Sequence, residues 1–247
     1  MILKEFFEIN PSVAIAFSGG VDSAFLLYAA KKYALKCKAY YVKTEFQPEF
    51  EFADAKKLAE SLGIEMRVIE KEVLADSRVA QNPVDRCYFC KKLIFSEIRT
   101  RAAEDGFTVL LDGTNASDDA DDRPGMKALS ELEVRSPLRE CGLTKPEIRK
   151  LSQEAGLFTW NKPAYACLAT RIPPNEPINR EKLKNIEKAE DYLFSKGYMD
   201  FRVRTVNGHA RIEVVDDQWM KLAEERNVIY EELKGLFKTV SLSLKTR

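Results

Sequence analysis

The chain has 247 residues, 45% of them hydrophobic and 32% charged, and its 39 lysines plus arginines equal its 39 aspartates plus glutamates. That length buries a real core and suits one large domain, or one with a small companion, while the neutral balance leaves no general electrostatic footprint for nucleic acid. No apolar stretch is long enough to span a bilayer, the start Met1–Glu8 is acidic and lacks a secretory core, and five cysteines without a leader argue against a disulfide framework. The expectation is a cytoplasmic chain with no membrane or nucleic-acid partner, whose thiols are available for chemistry or metal.

Strand and helix patterns alternate along the first two thirds. Val13–Phe17 reads as a strand, and Ser23–Leu35 as a helix with Phe25, Leu26, Ala29 and Ala30 turned inward. Cys37–Lys43 is a β-rich run, Glu49–Leu62 is helical and closes at Gly63, and Met66–Ile69 is a third strand. Arg86–Glu104 reads as a long helix ending at Gly106, and Thr108–Leu111 as a short buried strand that runs into the loop Asp112-Gly113-Thr114-Asn115. Such alternation predicts a doubly wound parallel α/β sheet, whose ligands gather at the carboxyl ends of the strands. Ile172–Pro177 carries three prolines in six residues and suits a stiff linker. A helix (Asn179–Lys196), a hairpin (Phe201–Val206 and Arg211–Val215 about Asn207-Gly208), a helix (Asp217–Leu233) and a strand (Thr239–Leu244) follow. The expected organisation is a nucleotide-binding α/β domain over 1–174 and a small α+β domain over 175–247.

The most informative segment is Ser18-Gly19-Gly20-Val21-Asp22-Ser23, set between the first strand and the first long helix. A strand, a glycine turn and a helix N-terminus make an anion cradle of converging N–H groups, and adjacent glycines let the main chain approach a phosphate. Ser18 and Ser23 add hydroxyls at its rim. Asp22 would repel a polyphosphate unless Mg²⁺ sits between them. No G-x-x-x-x-G-K-[ST] occurs, which excludes the Walker-type cradle. Asp118, Asp119, Asp121 and Asp122 crowd the loop after the fourth strand; such a run is ordinarily a solvated surface, but at this end of the sheet it suits Mg²⁺ or ribose contacts.

The thiols form a second constellation. Cys87-Tyr88-Phe89-Cys90 opens the long helix and Cys167 lies far downstream. From spacing alone a three-thiolate Fe–S cluster with one open iron, a zinc site and a packed or redox pair all stay open. The single histidine, His209, beside the hairpin turn, reads as exposed, and Cys37 and Cys141 read as small core residues. Arg171, Arg202 and Arg204 offer forks for carboxylate or phosphate, the last two on one strand face.

The glycine turn resembles the PP-loop of the N-type ATP pyrophosphatases, which split ATP into AMP and pyrophosphate. Together with Asn82-Pro83-Val84-Asp85-Arg86-Cys87-Tyr88-Phe89-Cys90, Asp112-Gly113-Thr114-Asn115-Ala116-Ser117-Asp118, Ser136-Pro137-Leu138, Lys162-Pro163 and Cys167-Leu168-Ala169-Thr170-Arg171, the chain resembles the LarE family across most of its length. LarE proteins are sulfur transferases that make the nickel-pincer nucleotide cofactor of lactate racemase. The resemblance implies ATP-dependent conversion of the carboxylates of pyridinium-3,5-biscarboxylate mononucleotide to thiocarboxylates. It implies ATP contacts at Ser18, Gly19, Gly20, Asp22, Ser23, Gly113, Thr114, Asn115 and Asp118, substrate contacts at Arg171, Arg202 and Arg204, and a homo-oligomer, a hexamer in relatives. Single-cysteine relatives surrender the sulfur of the residue matching Cys167. The added Cys87 and Cys90 resemble the three-cysteine subgroup, in which a [4Fe-4S] cluster on Cys87, Cys90 and Cys167 carries the sulfide. The rival readings are a tRNA thiolase, an ammonia-using amidotransferase and a non-catalytic nucleotide-binding regulator.

Overall fold

The computed structural model describes residues 1–118 and 124–247; Asp119, Asp121 and Asp122 lie outside the described residues. In chain order come α1 (Leu3–Ile9), β1 (Ser12–Ala16), α2 (Val21–Tyr33), β2 (Lys36–Lys43), α3 (Glu49–Leu62) and β3 (Met66–Glu70). A short α4 (Ser77–Ala80) precedes α5 (Arg86–Glu104), β4 (Val109–Leu111), α6 (Pro124–Glu131), α7 (Pro137–Glu140) and α8 (Lys145–Glu154). The four strands pair in parallel in the order β3-β2-β1-β4. The chain winds outward from β1 to β3 and then returns to the other side of β1, so the topological switch point lies between the carboxyl ends of β1 and β4.

Successive strand residues point to opposite faces, and here both faces are apolar. Val13, Ile15, Ala39, Tyr41 and Leu111 pack with Phe6, Phe7, Leu26, Leu58, Leu138 and Ile148 from α1, α2, α3, α7 and α8. Ala14, Tyr40, Val42, Ile69 and Leu110 pack instead with Phe95, Ile98 and Ala102 of α5 and Leu129 of α6. Helices therefore cover the sheet on both sides, the doubly wound arrangement that the alternation predicts. Helix α2 begins at Val21 rather than Ser23, because Gly20 is its N-cap and Asp22 and Ser23 fall in its first turn.

The chain divides into two units, Met1–Val73 with Asp85–Lys162, and Leu74–Val84 with Pro163–Arg247. The second contains α4, α9 (Arg180–Ser195), β5 (Arg202–Val206), β6 (His209–Glu213), α10 (Asp216–Glu224), α11 (Arg226–Leu233) and β7 (Thr239–Leu242). Its sheet runs β5-β6-β7, with β5 and β6 antiparallel and β6 and β7 parallel. Asn207 (φ 50°) and Gly208 (φ 84°) form a two-residue turn, so Val206 pairs directly with His209 and β6 starts earlier than the apolar pattern indicates. The helix read as continuous to Leu233 is interrupted at Glu225, whose ψ of 0° departs from the helical value. Ala189, Leu193, Tyr198, Phe201, Val203, Ile212, Leu222, Ile229 and Leu233 make the core of this unit.

The proline-rich stretch is held rather than loose. Asn82, buried and left-handed at φ 54°, donates its side-chain amide to the carbonyls of Pro173 (2.8 Å) and Glu176 (3.2 Å), and its own carbonyl accepts from Asn175 N (2.7 Å). Ile178 N donates to Ala80 O at 2.7 Å. Replacing Asn82 with alanine strips the donor from buried carbonyls and puts an ordinary side chain at positive φ, so we expect a loss of about 2–3 kcal/mol in urea denaturation. A midpoint matching the parent's would remove Asn82 from this role.

Candidate active site

At the carboxyl end of β1 the main chain reverses through Ser18-Gly19-Gly20 into α2. Gly19 adopts φ +77°, and a Cβ built there would stand 3.0 Å from Ala55 Cβ on α3. The two serines brace the turn: Ser18 N donates to Ser23 Oγ (3.3 Å), the two hydroxyls lie 3.0 Å apart, and Ser23 Oγ donates to Gly20 O (3.2 Å). From β4 the neighbouring loop presses against the same helix start, since a Cβ on Gly113 would lie 2.8 Å from Ser23 N. Asp112 fixes that loop by accepting from Thr114 Oγ1 and Ser136 Oγ, each at 2.5 Å. Asn115 Oδ1 accepts from Ser117 N (2.8 Å), and Asn115 N donates to Asp118 Oδ2 (3.1 Å).

A cleft of about 360 Å³ opens at this switch point. Ser18, Gly20, Asp22, Ser23, Gly113, Thr114 and Asp118 line it, whereas Gly19 and Asn115 stand behind the lining and shape it. Its opposite wall comes from α5, through Lys91, Ile94, Phe95 and Ile98. Asp22 Oδ2 accepts from Lys145 Nζ at 2.5 Å, while Oδ1 is buried with no hydrogen-bond partner among the described residues. Burial pushes the Asp22 carboxyl up, the Lys145 ammonium opposes this, and Asp118 adds to it. An oxygen left bare in an anion cradle fits a hard divalent ion shared with phosphate. Sequence reasoning missed Lys145; the available signal was Thr144-Lys145-Pro146-Glu147, a capping box that sets Lys145 at the first position of α8.

Cys87 and Cys90 sit in the first turns of α5, three residues apart and so on one side of the helix. Cys87 is exposed, Cys90 is half-buried, and Arg86 Nη2 lies 3.4 Å from Cys87 Sγ. Cys87, Lys91, Ile94 and Ile98 follow the i, i+4, i+7, i+11 stripe, which puts the first thiol one turn from a residue that lines the cleft. Cys167 belongs to the second unit, where it precedes the 3₁₀ turn Leu168–Arg171 and is half-buried. No disulfide joins any of the five cysteines, and among the described residues no three His, Cys, Asp or Glu side chains gather closely enough to hold a metal ion. Cys37 and Cys141 are half-buried, and burial pushes both thiols up. His209 is exposed, with Nδ1 2.8 Å from Thr239 Oγ1.

The three arginines converge on the segment that carries Cys167. Arg202 donates to Ala164 O, Arg171 Nη1 to Ala166 O (2.8 Å), and Arg204 Nη1 to Thr170 O (2.9 Å). Arg171 is fully buried and forks onto Glu190 at 2.8 and 3.0 Å; Glu190 also accepts from Val203 N (2.9 Å) and the Tyr165 hydroxyl. Arg202 is buried too, and desolvation, reinforced by the Arg171 charge, drops its guanidinium to about 10. Arg204 pairs with Glu213 at 2.7 Å and is the most exposed of the three. Glu190 was invisible to sequence reasoning except as an acid on the buried stripe of α9.

Residues 10–119 match the asparagine synthase family model. The chain is 34% identical to the pyridinium-3,5-bisthiocarboxylic acid mononucleotide synthase of Lactiplantibacillus plantarum, over 94% of this chain and 85% of that protein. It is 36% identical to an uncharacterized protein of Synechocystis sp., over 90% of this chain and 84% of that one. A tRNA-specific 2-thiouridylase MnmA of Thermotoga petrophila is 26% identical, over 61% of this chain and 54% of its own.

The Asp22 carboxyl has a sign that can be tested. Its folded value lies above the ordinary 3.8, so its ionisation opposes folding; the penalty is absent below that ordinary value and grows as pH rises through the folded one. Asp22→Asn is therefore expected to melt higher than the parent at neutral pH, with the difference shrinking towards pH 4. A lower melting temperature at neutral pH would contradict the burial argument.

Proposed function

The chain belongs to the LarE family of ATP-dependent sulfurtransferases, and from that membership we propose how its residues divide the work. The substrate is a pyridinium dicarboxylate mononucleotide, one carboxylate of which becomes a thiocarboxylate in each cycle. A carboxylate is a poor electrophile, so one of its oxygens attacks the α-phosphorus of ATP, pyrophosphate leaves, and an acyl-adenylate forms. A sulfur nucleophile then attacks the acyl carbon and AMP departs. Holding nucleophile and acyl carbon together supplies several kcal/mol of the barrier reduction. The observation that carries this reading is the shared face of α5, on which the Cys87 thiol stands one turn from the lining of the glycine-turn cleft.

Ser18, Gly19, Gly20 and Ser23 cradle the pyrophosphate end of ATP, and Gly113, Thr114, Asn115 and Asp118 hold the second wall. The bare Oδ1 of Asp22 takes Mg²⁺, which screens phosphate charge there. Cys87, Cys90 and Cys167 are the three ligands of a [4Fe-4S] cluster, which when bound supplies an open iron position for a sulfide. Thiolates are the donors such a cluster takes, but among the described residues the three side chains are not gathered as a metal site, so this ligand set rests on the resemblance to the three-cysteine subgroup. Cys167 stays cysteine through turnover. Arg204 meets the substrate's phosphate, while Arg171 and Arg202 frame the Cys167 turn and contribute positive charge to it. Residues 175–247 serve substrate binding and assembly into a cytoplasmic homo-oligomer, a hexamer as in LarE relatives.

Asp22→Ala should abolish pyrophosphate release and leave the fold intact; release at the parental rate would refute the assignment. Anaerobic reconstitution should give about four irons per chain. That signal should vanish in Cys87→Ala, Cys90→Ala or Cys167→Ala and persist in Cys37→Ala and Cys141→Ala. Stoichiometric zinc in a colourless, active protein would overturn the ligand set. Mass spectrometry after several turnovers should find Cys167 intact, whereas a loss of about 34 Da, the mass of H₂S, would make Cys167 itself the donor.

A further inference from the structure

Lys145 has no part in the chemistry assigned so far, yet it makes a 2.5 Å contact with the carboxylate at the centre of the cleft. Its main chain is pinned. Lys145 N donates to Ser117 Oγ at 3.0 Å, the Glu147 carboxylate accepts from Thr144 N at 2.8 Å, and Ile148 one turn on is fully buried. Its side chain, by contrast, is 30% exposed and ends a flexible four-carbon stem. The backbone thus holds the root of the side chain beside the glycine turn while the ammonium keeps room to swing.

The other charged groups that act on Asp22 lack that freedom. Arg149 donates to the carbonyls of Trp160 (2.8 Å) and Lys162 (2.9 Å), and the Asp118 carboxylate is tied to Asn115 N (3.1 Å). The ammonium satisfies Oδ2 of Asp22 only, leaving Oδ1 bare. A divalent ion on Oδ1 sets a second, stronger cation beside the ammonium on Oδ2, and the repulsion between the two weakens the hold of Asp22 on the lysine. A lysine displaced from there finds the strongest anion in the cleft at the N-terminus of α2, where phosphates are favoured.

We propose that Lys145 is a ligand of the nucleotide's leaving phosphates, kept in reserve on Asp22 until the Mg²⁺–nucleotide complex arrives. The inference rests on the reading of Asp22 as the Mg²⁺ ligand. Before binding, the ammonium compensates a carboxylate that would otherwise stand uncompensated in a partly buried cleft. After binding, Mg²⁺ takes over Asp22 and the ammonium moves onto the β- and γ-phosphate oxygens. When the bond between the α-phosphorus and its bridging oxygen breaks, the electron pair stays with pyrophosphate. Negative charge grows on that group, and a cation there stabilises the departing ion.

Lys145→Met keeps the stem and removes the charge. Titration calorimetry with α,β-methylene-ATP, inorganic pyrophosphate and AMP, each with Mg²⁺, separates the phosphates involved. The expected result is an affinity loss of about tenfold or more for the ATP analogue and pyrophosphate, with AMP changed by less than about twofold. Lys145→Arg should recover part of the pyrophosphate affinity. Unchanged pyrophosphate binding in Lys145→Met, or an equal loss for AMP, would overturn the proposal. Asp22→Asn, titrated alongside, distinguishes the two failures. If it retains Mg²⁺-dependent binding of the analogue, the Asp22 reading itself fails. If it loses that dependence while Lys145→Met binds pyrophosphate like the parent, the Lys145 inference alone fails.

Discussion

Two close approaches of main chain govern everything at the cleft. Gly19 lies against Ala55 with a positive φ, and Gly113 lies against Ser23 N with no space for a Cβ. Loops from the neighbouring strands β1 and β4 are thereby pressed into one volume, and no side chain stands between them. Main-chain N–H groups can then face a ligand directly, an arrangement suited to an anion that must be held tightly without being crowded. The polar side chains are arranged around this fixed backbone. Ser18 and Ser23 brace the turn from within, Asp112 braces the adjoining loop, and Asp22 is left with one buried oxygen that has no hydrogen-bond partner among the described residues.

The second unit solves a different problem, which is to hold the irregular segment that carries Cys167 steady. Carbonyls on both sides of Cys167 are gripped by guanidinium groups, and two of those arginines lie against the ring of Tyr165, at 4.4 and 5.2 Å from its centroid. Glu190 closes the set by meeting Arg171, Tyr165 and the start of β5 together. A buried pair of this kind adds little net stability, but removing one partner strands a charge and costs about 3–5 kcal/mol. Its value lies in geometry, because the turn bearing the thiol has few alternative ways to satisfy the same charges.

The parts of this arrangement that could be read beforehand have local signatures. Helices α3 and α5 run over the ranges that the apolar spacing indicates, Glu49–Leu62 and Arg86–Glu104, each closed by a following glycine. Ser18 to Ser23 announce themselves because a strand, two glycines and a helix start are adjacent in sequence. The partners are another matter. Lys145 meets Asp22 across 123 residues and Arg171 meets Glu190 across 19, and charge pairing at such distances leaves no periodic trace. Strand alternation puts Arg202 and Arg204 on one face, but the carbonyls they reach belong to a loop whose path only the folded chain defines. Short α4 and α7, at four residues each, are below the length at which an amphipathic period becomes visible.

The passage of Leu74–Val84 into the second unit, before the first is complete, bears on how the chain is made and how it can be cut. The carbonyl of Pro173 that receives the Asn82 amide lies 91 residues further along. A ribosome needs roughly 5–20 s to cover that span, during which the crossing segment has left the tunnel and its partners do not yet exist. The glycine-turn cleft and the Cys87–Cys90 pair are synthesised ahead of Cys167, so the first unit's cleft is translated before the segment that carries the fifth cysteine. The same threading means that no single scission separates the units: each is built from two stretches of polypeptide, and excising either one takes more than one cut.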